Sequence, residues 1–143
     1  GGIETIEITM TVPGAVDVIR GLAKTYQCSN VLIGAGTVLE YVESYASDDD
    51  GFEFFGGTVN TRYLVAAFCS DDAFDWDQGF GGKHQFWFAI QGIDAAGRVA
   101  EMDGAGGNEQ GTPYAHPFLS NVTYIGAGTG AIGSLARRRG GGT

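Results

Sequence analysis

Asp49-Asp50-Gly51-Phe52-Glu53 returns further along the chain as Asp71-Asp72-Ala73-Phe74-Asp75, an offset of 22 residues. The match extends outward. Tyr41-Val42 realigns on Tyr63-Leu64, and the stretch from Ser47 to Phe52 realigns on Cys69 to Phe74. Within each copy, short apolar runs alternate with acidic and Gly-containing breaks. Such runs read as short buried strands, and the breaks as turns. A unit of this length cannot bury its apolar face alone, but stacking on its neighbours makes a continuous core. The period suits one rung of a three-faced parallel β-solenoid, with the acids solvated in the turns.

The same texture runs from Gly34 to the end, where a solenoid of about four to five rungs is expected. A second echo sets Ser29-Asn30-Val31 and Ile33-Gly34-Ala35-Gly36-Thr37 against Ser120-Asn121-Val122 and Ile125-Gly126-Ala127-Gly128-Thr129. Residues 1–33 differ. Ile6, Ile8, Met10 and Val12 alternate with polar residues and predict a half-buried strand. Pro13 suits the first turn of a helix. Ala15, Val18, Ile19, Leu22, Ala23 and Tyr26 then share one helical face, with Asp17 and Lys24 placed to suit the helix dipole. Val31-Leu32-Ile33 closes a β-α-β unit. The expected organisation is therefore a β-α-β segment over 1–33, acting as a cap, and a mostly β, right-handed parallel solenoid over 34–143.

Composition narrows the function classes. The chain has 143 residues, with 25 Gly and 3 Pro, which favours tight turns over a Pro-rich linker. Its net charge of −9 opposes binding to nucleic acid or to anionic membranes, both of which select basic surfaces. The acids concentrate between Glu40 and Asp103, against only Arg62, Lys83 and Arg98. No run of apolar residues is long enough for a membrane span. A start at Gly1-Gly2 without Met suggests a processed, excised or engineered chain. Cys28 and Cys69 lack metal-ligand spacing, and read as two buried thiols or one disulfide.

Two resemblances follow from these residues. Gly2-Ile3, Ile6-Glu7-Ile8-Thr9, Pro13-Gly14-Ala15, Val18-Ile19 and Ile33-Gly34-Ala35-Gly36-Thr37-Val38-Leu39 resemble the start of the 2-keto-3-deoxy-6-phosphogluconate aldolases, which are (β/α)8 barrels. The resemblance implies an acid/base role for Glu7 and substrate contact near Thr37. The family's Schiff-base strand has no counterpart, because Lys24 and Lys83 sit in unrelated contexts, so aldolase activity is expected to be absent. The second resemblance covers residues 34–140. It rests on residues 49–60 and 71–79, then Gly82-Lys83, Gln85-Phe86-Trp87 and Asn121-Val122-Thr123. This stretch is similar to exported bacterial parallel β-helix proteins, which implies an extracellular or cell-surface origin but carries over no biochemical role. The two resemblances overlap at Ile33–Leu39, and the chain reads as a chimera, natural or engineered.

Site expectations centre on the acids. Stacked in register, Asp49 and Asp50 would lie about 4.8 Å from Asp71 and Asp72. With Asp75 and Asp77 they are candidate Ca²⁺ ligands, since Ca²⁺ takes several turn oxygens. The other reading is a solvated acidic edge whose carboxyls carry raised pKa values or accept hydrogen bonds from turn amides. Trp76 and Trp87 are candidate carbohydrate-binding aromatics, or else core fillers beside Phe52, Phe54 and Phe74, as strand alternation suggests. His84 and His116 have no partner motif, Gly34-Ala35-Gly36 and Gly126-Ala127-Gly128 read as turns, and Arg137–Arg139 read as a solvated end. No cofactor other than Ca²⁺ is implied. The expected function is a non-enzymatic structural or binding solenoid, forming homo-oligomers through an open end near Arg138-Arg139-Gly140. The alternatives are a Ca²⁺-dependent polysaccharide-binding or -cleaving β-helix and an inactive aldolase remnant.

Overall fold

The computed structural model describes residues 5–7, 30–32, 36–94, 97–104, 110–129 and 136–138. Among these residues the regular structure is all β, and every strand pairing is parallel. Parallel neighbours need a crossover between them, so a run of parallel strands in chain order coils on itself.

Near the N-terminus, β1 (Thr5–Glu7) pairs with β2 (Asn30–Leu32), Ile6 beside Val31. This is the strand pairing a β-α-β unit requires. The helix expected over 13–26 lies outside the described residues, as do Lys24, Cys28, Arg139 and Gly140.

The coil itself runs through β3 (Val38–Tyr45), β4 (Phe52–Phe55), β5 (Asn60–Ala67), β6 (Phe74–Asp77), β7 (Gly81–Gln85), β8 (Phe88–Ile90), β9 (Ala100–Met102), β10 (His116–Ser120), β11 (Thr123–Ile125) and β12 (Ala136–Arg138). Two sheets result. In the larger, β5 lies between β3 and the β7 and β8 strands, with β10 beyond β7 and β11 beyond β8. In the smaller, the order is β4, β6, β9, β12. The 22-residue offset appears directly in the register, with Val38 beside Asn60 and Phe52 beside Phe74. It does not persist. Thr61 pairs with His84, Phe74 with Ala100, and Gly81 with His116. Stacking requires only that each strand return to register, so extra residues are accommodated in the loops between strands.

Corners are set by left-handed residues that stack in the same columns. Tyr41, Tyr63, Phe86 and Asn121 have φ between 53° and 58° and occupy equivalent places along successive strands. Each breaks the alternation of the larger sheet, so two neighbouring side chains point outward: Thr61 and Leu64 are buried, while Arg62 and Tyr63 are not. Ala46 and Phe68 form a second such corner. At a third, Gly56 (φ 72°) lies beneath Gln78 (φ 52°). A Cβ on Gly56 would stand 2.7 Å from the Gln78 carbonyl oxygen, so this corner needs glycine for space as well as for φ.

The core is aromatic. Phe54, Leu64, Phe74, Trp76, Phe80, Trp87, Ala89 and Val99 fill it. Rings stack along the axis, Phe52 on Phe74 at 5.4 Å, Phe74 on Trp87 at 4.3 Å and Phe54 on Phe80 at 4.5 Å between centroids. Parallel register places Phe52 beside Phe74, one strand spacing apart, whereas Phe74 and Trp87, and Phe54 and Phe80, stack without being register partners. Cys69 is a buried free thiol.

Candidate functional site

The acids gather where the turns leading into β4 and β6 meet the outer face of the smaller sheet. Along these strands Phe52, Phe54, Phe74 and Trp76 point into the core. Glu53 and Asp75 therefore point out, and they lie side by side in register. Asp75 is in turn beside Glu101, and Glu101 beside Arg137 in the backbone register.

The turn aspartates climb from one level to the next. The Asp72 amide donates to Asp50 Oδ1 at 2.9 Å. The Arg98 amide donates to Asp72 Oδ1. Each carboxylate thus satisfies a backbone N–H of the following turn, which the sheet ladder leaves unpaired. Asn60 does the same at another corner, accepting from the Lys83 amide at 2.9 Å. The local cations are already engaged: Arg98 Nη1 pairs with Glu101 at 2.7 Å, and Arg62 Nη2 with Glu40 at 2.5 Å.

Two trios of carboxylates remain close together. One oxygen from each of Asp49, Asp50 and Asp71 lies within 4.8 Å of the others, as does one from each of Asp50, Glu53 and Asp75. Asp50 belongs to both. Burial, with Glu53, Asp72 and Asp71 nearby, pushes the Asp50 carboxyl up to about 7 against the lowering effect of the Asp72 amide. Burial and the charges of Asp50, Asp72, Glu53 and Asp103 likewise push Asp75 up to about 7. Glu53 and Asp71 are raised, mainly by burial and then by neighbouring acids. Asp75 Oδ1 is buried and accepts no hydrogen bond among the described residues. Hard oxygen ligands at this density suit a divalent cation such as Ca²⁺. They also suit proton sharing between carboxyls.

The six expected metal ligands therefore divide. Asp49, Asp50, Asp71 and Asp75 come together and recruit Glu53. Asp72 is buried and held by the Arg98 amide. Asp77 lies two residues beyond Asp75 on β6, beside Phe55. Trp76 and Trp87 are placed in the core at 4% and 1% exposure, so neither presents a ring to a sugar. Packing against Phe54 and Phe74 is what encloses Trp87. Glu7 stands on β1, in register with Leu32. His84 is fully buried, and burial lowers its imidazole to about 4, while His116 is exposed on β10.

One outer feature escaped the sequence reading. Tyr41, Tyr63 and Phe86 stack up the outside of the first corner, at 4.6 and 5.0 Å between centroids. Their faces cover one another and their edges meet solvent. The repeat already placed Tyr41 on Tyr63, which was the available signal; Phe86 follows at a different offset. A bulky residue with positive φ is strained by about 1–2 kcal/mol, and ring stacking offsets about 0.5–1.5 of it.

Comparison with known proteins adds one finding. A family model described as a pectate-lyase-like β-helix domain matches residues 25–143. No curated protein and no solved structure matches the chain.

Proposed function

Because the chain belongs to the pectate-lyase-like β-helix domain family, we propose that it is a non-enzymatic binding solenoid whose acidic column takes Ca²⁺ and, through it, a polysaccharide. The observation that carries this reading is the pair of carboxylate trios sharing Asp50, with oxygens within 4.8 Å and Asp75 Oδ1 without a donor. A chain of net charge −9 repels an acidic polysaccharide such as pectate. A bridging divalent cation turns that repulsion into a contact. An extracellular or surface setting fits both the family and the ligand.

Calorimetric titration of the chelator-treated protein with Ca²⁺ alone, then with polygalacturonate with and without Ca²⁺, tests the proposal. Binding heat and a raised melting temperature with Ca²⁺, both lost in Asp50→Asn, are expected; no heat and no melting shift would sink it. Release of unsaturated sugar by the native chain would instead establish the cleaving alternative. For the aldolase-like segment, borohydride trapping with pyruvate is expected to label nothing.

Self-association is part of the same reading. Among the described residues β3, β10 and β11 are edge strands of the larger sheet, and an unpaired edge is a template for pairing. Light scattering across a dilution series should show a mass that falls with concentration. A strict monomer throughout would remove this element.

A further inference from the structure

We propose that the outer face of the larger sheet over β5 and β8 docks on the same face of a second copy of this chain, with the two coil axes antiparallel. Docking there needs neither Ca²⁺ nor the acidic column, and it uses side chains on a face rather than the backbone edges.

Side-chain alternation defines the face. On β5, Leu64 and Ala66 lie in the core with no exposure, so Val65 between them points outward. On β8, Ala89 is likewise enclosed, so Phe88 and Ile90 point outward, Phe88 in register beside Val65. Ile125 on β11 continues the strip beside Ile90. Two aromatic rows frame it. On one side Tyr63 is stacked between Tyr41 and Phe86, at 4.6 and 5.0 Å between centroids. On the other, Tyr45 meets Phe68 edge to face at 5.8 Å.

The fold alone does not call for these rings. Tyr41, Tyr63, Phe68 and Phe86 hold φ between 56° and 58°, a region that suits Gly or Asn and strains a bulky residue. Asn121, at the next place in the first row, takes the same conformation at φ 53° without a ring. The corner therefore forms without aromatic side chains, and strained rings kept on the surface point to a purpose outside the coil.

Area and charge select the occupant. Tyr41 and Tyr45 are 76% and 67% exposed, Phe68 and Phe86 46% and 39%. At about 200 Å² for a whole aromatic side chain, these four present about 450 Å². Ile125 and the half-buried Val65, Phe88 and Ile90 bring the strip to roughly 600 Å², the upper end for an apolar patch on a monomer and the lower end, per partner, for a standard interface. The stacked rings are already held in place, so docking costs little side-chain freedom. Across most of its surface a chain of net charge −9 repels its own copies. On this strip Glu43 is the one charge among the described outward positions. Just beyond the tyrosine row, Glu40 is neutralised by Arg62. A cationic partner would find its complement on the smaller sheet instead; an apolar strip with so little charge matches itself. Antiparallel coil axes set β3 of one copy over β11 of the other, so each Glu43 meets Thr123 rather than the second Glu43. Such a two-fold contact is closed, and assembly stops at the dimer.

Sedimentation velocity of the full chain in chelator, from about 1 to about 100 μM, tests this. A twofold rise in mass with concentration, ending at the dimer, is expected. Val65→Glu should abolish it while far-UV dichroism and tryptophan emission show the fold retained. Asn60→Asp adds the same charge to the same strand outside the strip, keeps an acceptor for the Lys83 amide, and should dimerise as wild type does. Because β5 is an internal strand, pairing through the edges of β3, β10 or β11 would survive Val65→Glu. A strict monomer over the whole range, or an oligomer that a folded Val65→Glu leaves intact, would overturn the docking face. Should Val65→Glu fail to fold, hydroxyl-radical footprinting of wild type decides. Oxidation of Phe68 and Phe86, relative to Tyr114 off the strip at 49% exposure, should fall at least about threefold at the higher concentration as the rings lose contact with water. An unchanged ratio would equally overturn it.

Discussion

Replacing Thr61 with valine should destabilise this protein far more than the loss of one hydroxyl suggests. Thr61 is completely buried, between His84 and Trp87, each about 1% exposed. The Trp87 indole N–H donates to Thr61 Oγ1 at 2.7 Å, and Thr61 Oγ1 lies 3.0 Å from His84 Nδ1. His84 Nε2 faces the Gly81 carbonyl at 3.3 Å. A carbonyl only accepts, so Nε2 carries the imidazole proton and Nδ1 is the acceptor. The Thr61 hydroxyl must then donate to His84 while accepting from Trp87. Valine fills nearly the same space but leaves one buried donor and one buried acceptor unmatched, at about 1–3 kcal/mol each. Burial of its extra methyl returns about 1 kcal/mol. A net loss of roughly 1–5 kcal/mol is expected, or about 3–20 °C in melting temperature. Urea unfolding followed by tryptophan emission is the assay, because both tryptophans are buried in the native state. The midpoint should fall with an unchanged slope, and Thr61→Ser should recover most of the loss. A Thr61→Val loss below about 0.5 kcal/mol would refute the assignment of donors and acceptors in this chain.

Three further outcomes are expected. Phe74→Ala, which empties a fully buried position between Phe52 and Trp87, should cost about 3–5 kcal/mol in the same assay. Gly82→Ala, at φ +108° with its Cβ 2.4 Å from the Val59 carbonyl oxygen, should cost at least about 2 kcal/mol, whereas Gly57→Ala, at φ +79° in open space, should cost only about 1. Burial holds the folded His84 near 4 against 6.5, so its neutral form contributes stability that is present above pH 6.5 and lost as pH falls through 4. The stability of wild type relative to His84→Gln should therefore drop by about 3 kcal/mol between pH 7 and pH 4; a constant difference would show that His84 does not titrate as buried.

The strand content and the first register were legible because β-solenoid stacking writes itself into the chain. Phe52 and Phe74, or Glu53 and Asp75, occupy equivalent places and therefore share chemistry at a fixed offset. Later turns were less legible. Ala100 follows Phe74 and His116 follows Gly81 after loops whose length the sheets do not constrain. Acid clustering was visible as composition. The division of labour within it was not, since nothing local distinguishes Asp72, tied to the Arg98 amide, from Asp71 beside it. The same holds for Trp76 and Trp87, where alternation allowed the core reading but an aromatic strip beside acids allowed another.

What the sequence determines by itself is a parallel, all-β coil with aromatic residues at inward positions and carboxylates at the turns. Short-range pattern is enough for that, because side-chain alternation and turn chemistry act within a few residues. Only the tertiary structure decides which of those carboxylates meet. Their spacing, burial and missing donors depend on how one turn of the coil lies over the next, through amides and strands 22 to 26 residues away. The proton affinity of Asp50 and Asp75 is thus a property of the stack rather than of either residue.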